Sequence, residues 1–398
     1  MREYQVNMAA SICRCGAELL TRRGIRMLST STVATQSRSG SPTDTQKRPN
    51  KISQEKQDKP KSLFVPRTSF DPVQVSTSNF THFHKEFLKK GMSMHPHLTL
   101  ELRDARAPLS TGNVLLSNSF SSAIGSNRLY LYSKSDASLL DDETLKQWHP
   151  QGNYLQIDCR SRQAAVKIMK YAATVFQKID PPPPVGFNML ICGMPNVGKS
   201  TLVNTMRRLV VEKTNDWKMQ GKKRSVAPVG QQAGVTRALS NRIKVCDSPN
   251  IFVFDSPGLF MPSIANSETM IKLALLKCIK ESLVDPIVQA DYLLYALNRD
   301  DPKSYRDLCP PTNDINDILV ALRRKWRSTP NQDAGTALRW INEWVSGKKG
   351  KVMLDAATPE AFDTYNQKES ERMRAWMVKF QQRGKEKGGN RASKIFRA

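Results

Sequence analysis

The stretch FNMLICGMPNVGKST, residues 187–201, decides the fold. An apolar, strand-like run meets Gly193, four residues, then Gly198-Lys199-Ser200, and a helical pattern carrying Leu202, Val203 and Met206 follows. Strand, glycine-rich turn and helix are the context that a phosphate-binding loop requires. Glycines let backbone N–H groups curl around phosphate oxygens with no Cβ in the way, and the following helix presents its positive end. Lys199 is the expected point charge on the terminal phosphates, and Ser200 the expected Mg²⁺ ligand. Contacts to a nucleotide are expected along the whole loop, from Gly193 through Asn196, Val197, Gly198, Lys199, Ser200 and Thr201.

Downstream, IFVFDSPG (residues 251–258) is a β-run ending in Asp255-Ser256-Pro257-Gly258. A strand end of this kind sets Asp255 beside the metal through water, and Gly258 where its N–H senses the γ-phosphate. Between the two motifs lies Gly234-Val235-Thr236, and a threonine there completes the Mg²⁺ shell when a switch loop closes.

Guanine selection needs a carboxylate that takes both N1–H and N2–H₂, with a lysine stem under the ring. Two segments compete for this role. Asn298-Arg299-Asp300-Asp301 lies downstream, where an ordinary GTPase carries it, but Arg299 replaces the lysine and Leu293, Leu294 and Leu297 suit a helix as well as a strand. Upstream, Ser133-Lys134-Ser135-Asp136 keeps lysine and aspartate at the right spacing. It is followed by a short β-run and turn from Tyr154 to Arg160, then a helical pattern with Ala164, Ala165, Ile168 and Met169. Asp158, Cys159 and Arg160 therefore form the expected second base-contacting loop, and the upstream site is favoured. The implied order is base loop, second base loop, phosphate loop, switch threonine, Asp-x-Pro-Gly, a rotation of the usual order. A parallel sheet tolerates such permutation because its binding loops gather at the strand carboxyl ends.

LELRDARAPLSTGN (residues 100–113), YSKSD, GMPNVGKST, GVTR and DSPG, in this order, resemble the YlqF/YawG-type circularly permuted GTPases from about residue 80 to about residue 300. The resemblance implies a permuted P-loop GTPase domain of α/β class, its mostly parallel sheet flanked by helices. It also implies GTP hydrolysis with Mg²⁺ and a part in assembling the large ribosomal subunit, bound to ribosomal RNA. In that family a hydrophobic residue, here Leu259, replaces the water-positioning glutamine, which implies slow intrinsic hydrolysis stimulated by the ribosomal particle. Asn196 stands where similar GTPases bind potassium. The family's Gly-His pair is absent: Phe80-Thr81-His82-Phe83-His84 offers His84 or His82 as a stand-in, with two solvated histidines as the equal alternative. Ser133 replaces the usual asparagine, a change expected to weaken guanine binding modestly while Asp136 keeps selectivity.

The rest of the chain agrees with a polyanionic partner. Across 398 residues, 61 basic against 36 acidic side chains leave a net charge of +25, the footprint of RNA binding or of an anionic membrane surface. No run approaches the ~18–20 apolar residues that a membrane-spanning helix needs. Seven cysteines form no zinc pattern and fit a reducing compartment. Residues 1–50 hold eight basic against three acidic residues with many Ser and Thr, the composition of a mitochondrial transit peptide. A linker over 51–78, the GTPase domain over 79–285, a small helical domain over 286–367 and a basic tail over 368–398 complete the expected organisation. Ile315 to Trp326 and Ala334 to Val345 read as helices, with Trp326, Trp340 and Trp344 as core anchors. The tail carries ten basic and three acidic residues, which makes RNA contact salt-dependent. The partner expected is the mitochondrial large subunit and its rRNA, met in the matrix by a monomer. Two other readings stay open: a membrane-associated mitochondrial GTPase, and a GTP-holding RNA-binding protein with negligible turnover.

Overall fold

The computed structural model describes residues 64–71, 96–113, 127–213, 242–256, 264, 266–372, 374, 375 and 378. The elements below all lie in the unit Pro66–Ala398. Among the described residues, six strands form one sheet: β1 (Leu98–Asp104), β2 (Asn127–Ser133), β3 (Tyr154–Ile157), β4 (Phe187–Gly193), β5 (Ile243–Asp247) and β6 (Asn250–Asp255). Their spatial order is β3-β2-β1-β4-β6-β5, parallel throughout except for β5 against β6. The helices are α1 (Asp142–Trp148), α2 (Arg162–Gln177), α3 (Lys199–Lys213), α4 (Ser267–Leu275), α5 (Pro286–Asp300), α6 (Ile315–Trp326) and α7 (Asp333–Val345), and residues 361–372 are also helical.

Period-two alternation explains how the central strands bury both faces. Leu98, Leu100 and Leu102 of β1 pack with Leu129 and Leu131 of β2 and with Ala164, Ala165 and Ile168 of α2. On the opposite face, Glu101 and Arg103 of β1 lie in register with Tyr130 and Tyr132 of β2. Arg103 pairs with Glu101 at 2.8 Å and stacks on Tyr130 and Phe362, with both charged side chains 1% exposed. Removing one partner of such a pair costs about 3–5 kcal/mol, because the other charge is left buried and uncompensated. The tyrosines, Trp148, His149 and Phe362 close this face as a second cluster. Burial, and then the nearby Arg103 charge, pull His149 down to about 3; the ring stays neutral and hydrogen-bonds Tyr132 at 2.8 Å.

Local chemistry sets the helix ends. Asp285 caps α5 by accepting from Ile287 N, with Pro286 in the first turn, and Asp314 caps α6 by accepting from Asn316 N. The spans α6 and α7 coincide with the helical periods read in the sequence, to within one residue. Trp340 and Trp344 are buried in the main core and Trp326 is half-buried beneath the Arg339 guanidinium. Residues of α5, α6 and α7 share that core with the sheet, so packing is continuous across residue 286. Among the described residues no helix is long and apolar enough to cross a membrane.

Candidate nucleotide site

The loop of residues 194–198 joins β4 to the N-terminus of α3. Gly193 (φ +143°) runs so close to β1 that a Cβ there would meet the Leu102 carbonyl oxygen at 2.3 Å; one on Gly198 (φ +106°) would meet Cys159 Sγ at 2.8 Å. The glycines are thus required by close packing of strand against strand and loop against loop, as well as by the left-handed backbone. Lys199 Nζ folds back onto the Met194 carbonyl at 2.7 Å. Burial pulls its ammonium down to about 8, although the Asp255 carboxylate pushes the other way.

Asp255 closes β6 one strand away, and Ser200 Oγ donates to its Oδ2 at 2.9 Å. Burial raises the Asp255 carboxyl above the ordinary range, with Lys199 and Ser200 holding it back. A buried carboxylate touching a helix-start hydroxyl is a hard-oxygen pair that suits Mg²⁺. Gly258, Leu259, Thr236, His82 and His84 lie outside the described residues.

Across the β1–β4 switch point lie the ends of β2 and β3. Ser133 Oγ is 2.7 Å from the Val197 carbonyl and 3.1 Å from the Arg103 carbonyl, so the serine hydroxyl still ties this strand end to the phosphate loop. Lys134, with φ +57°, lays its ammonium on the Asn196 carbonyl at 2.9 Å. Asn196 is itself left-handed (φ +60°) and its Nδ2 donates to the Lys277 carbonyl at 2.6 Å. Lys134, Asp136, Asp158, Cys159, Arg160, Asn196, Val197, Gly198 and Thr201 line one cavity of about 550 Å³. Burial pushes the Cys159 thiol up to about 12, which makes it a packing group rather than a nucleophile. The competing segment falls elsewhere: Asn298 is 1% exposed inside α5 and bonded to Tyr305 and Thr312, and Arg299 reaches the Met353 carbonyl.

Two features of this site have no clear signal in the sequence. Asp104, at the end of β1, lies fully buried behind the lining and binds two residues that belong to it, Lys134 and Arg106. Asn342, Val345, Ser346 and Lys348, from the end of α7 and the turn after it, form another wall. Their only sequence signal was a helical period pointing to a core.

Strand order settles the class. The strand leading to the phosphate loop is central but fourth in the chain, and the strands flanking the base end precede it, so the molecule is a circularly permuted P-loop GTPase. The family described as 50S ribosome-binding GTPase matches residues 188–325. Mitochondrial GTPase 1 of Saccharomyces cerevisiae is 35% identical over 313 residues, 73% of this chain and 84% of its own. Mitochondrial ribosome-associated GTPase 1 of Ictalurus punctatus is 32% identical over 322 residues, 73% of this chain and 96% of its own. The solved structure of GNP-bound YlqF from T. maritima aligns with TM-score 0.43 at 17% identity, over 69% of this chain and 98% of that one. By its sequence relatives the chain belongs to the mitochondrial GTPase 1 family. It is a mitochondrial GTP-hydrolysing enzyme that uses GTP with Mg²⁺.

Proposed function

We propose that this GTPase is an assembly factor for the mitochondrial large ribosomal subunit, working in the matrix as a monomer that binds rRNA and is released by hydrolysis. The supporting observation is the 32% identical relative named a mitochondrial ribosome-associated GTPase, joined to a net charge of +25. A chain so basic draws an RNA particle by counterion release.

Within the site, Lys199 takes the terminal phosphates while Ser200 and Asp255 (through water) hold Mg²⁺, joined by Thr236; the Gly258 N–H senses the γ-phosphate. Asp136 reads the guanine edge over the Lys134 stem, the Asp158-Cys159-Arg160 turn approaches O6, and Ser133 links both halves. Phosphate oxygens favour charged Lys199, whereas its burial disfavours it. As the pH rises through and beyond about 8 the free enzyme progressively loses this proton, so GDP binding takes one up and affinity weakens, by up to about tenfold per pH unit. Calorimetry at pH 8.5 in buffers of different ionisation heat measures this; equal uptake by wild type and Lys199→Met would exclude Lys199 as its source.

Leu259 has no hydrogen-bonding group to orient water, so turnover is slow alone and fast on the particle. His84 is the candidate stand-in for the family histidine, and Asn196 the candidate ligand for potassium. The test is GTP turnover with and without purified mitochondrial large subunits, in potassium and in sodium, with sedimentation against subunits and against anionic vesicles. Stimulation of about 10²-fold or more by subunits is expected, by analogy with other partner-activated GTPases, together with co-sedimentation with subunits rather than vesicles. Binding to vesicles with no stimulation by subunits would favour a membrane-associated GTPase instead.

A further inference from the structure

Behind the cavity wall, one buried carboxylate ties the helical region to the base loop and the phosphate loop. Asp104 is 0% exposed. Its Oδ2 accepts from Lys134 Nζ at 2.8 Å and from Arg106 Nη2 at 2.6 Å, and its Oδ1 accepts from Arg106 Nε at 2.8 Å and Arg106 N at 3.1 Å. Burial alone would raise this carboxyl; the Arg106 and Lys134 charges outweigh it and hold the group ionised, well below the usual carboxylate range. Arg106 Nη1 in turn donates to the carbonyl of Val345, the last residue of α7. Lys134 reaches the other way, to the Asn196 carbonyl of the phosphate loop. One carboxylate therefore connects base loop, phosphate loop and helical region.

The connection is reinforced beside it. Leu354 N donates to the Arg106 carbonyl at 2.7 Å, and Val352 N to the Ala137 carbonyl at 3.1 Å, one residue past Asp136. Asp355, 2% exposed, accepts from Leu109 N, Ser110 N and Ser110 Oγ at 2.8, 2.9 and 2.6 Å, and pairs with Lys272 at 3.1 Å. The turn after β1 and the base loop are thus both fastened to residues 352–355.

We propose that Asp104 is a positioning residue for guanine, holding Lys134 under the ring and, through Arg106, the end of α7 as the facing wall of the base pocket. Displacement of α7 then appears as lost guanine-nucleotide affinity. This rests on the guanine reading of the Lys134–Asp136 loop. A particle that shifts the helical region would act on the nucleotide through this link.

The test compares wild type, Asp104→Asn, Lys134→Gln, the double variant and Asp136→Asn for GDP, IDP and XDP affinity, with hydrogen exchange over residues 342–348. Asp104→Asn is expected to weaken all three nucleotides by a similar factor of about 10–100, as loss of a charge-assisted buried bond implies. The double variant should bind no worse than Lys134→Gln, since partners in one network do not add. GDP should protect residues 342–348 in wild type, and far less in Asp104→Asn. Additive losses, or unchanged GDP protection in a folded Asp104→Asn protein, would overturn the proposal. If Asp104→Asn does not fold, Arg106→Gln carries the exchange measurement: loss of GDP protection supports the link and full protection refutes it. Failure of Asp136→Asn to alter base preference would refute the guanine reading itself, a separate outcome.

Discussion

Asp136→Asn is expected to lower GTP affinity by roughly 100-fold or more and to raise XTP affinity, moving base preference from guanine to xanthine. Guanine offers two donors, N1–H and N2–H₂, to one carboxylate. An amide returns only one acceptor and sets a donor against the other hydrogen, leaving buried polar atoms unpaired. Xanthine carries a carbonyl at C2, which the new amide N–H₂ satisfies. Asp136 stands exposed in the 3-10 turn Ser135–Ala137 at the mouth of the cavity, so the variant keeps its fold and a thermal midpoint close to wild type. Competition of fluorescent GDP by GTP and XTP measures the effect. An unchanged GTP to XTP ratio in a folded variant would falsify the assignment and return base recognition to an unidentified segment.

Lys199→Ala is expected to reduce GTP hydrolysis by about 10²–10³-fold, the usual loss when a preorganised charge is removed from a transition state. Lys199 is 6% exposed at the head of α3, where water has little room to replace its ammonium. A second effect follows from its neighbour. Lys199 is the main charge opposing the burial that raises Asp255, so without it the carboxyl rises further and is protonated at higher pH. The variant should therefore need more Mg²⁺ to bind GDP at pH 6 than at pH 8, by a wider margin than wild type. Magnesium titrations at the two values measure that margin, and equal margins would separate Lys199 from the metal site. Hydrolysis within threefold of wild type would remove Lys199 from the chemistry.

Short-range patterns made much of the fold legible. Strand, glycine turn and helix over 187–201 appear as β4, loop and α3, because this conformation depends on glycines and apolar residues adjacent in sequence. The helices α6 and α7 were readable from their apolar period, and the turn after β3 from its β-run and Asp158. The 298–301 segment was ambiguous, since a short apolar run suits strand or helix alike; burial of Asn298 inside α5 resolves it through partners at Tyr305 and Thr312.

By itself, the sequence determined the phosphate loop, the rotated order of motifs and hence the permuted parallel sheet, since each rests on local spacing and on the rule that binding loops gather at strand carboxyl ends. It also carried the charge that asks for a polyanion. Only the tertiary structure decided how the cavity is closed. Asp104 and Lys134 are 30 residues apart, Arg106 and Val345 are 239 apart, and Leu109 and Asp355 are 246 apart. No periodicity encodes such pairs. Their partners are chosen by which buried charges and N–H groups would otherwise remain unpaired once the core has formed, a condition that exists only after the chain has packed.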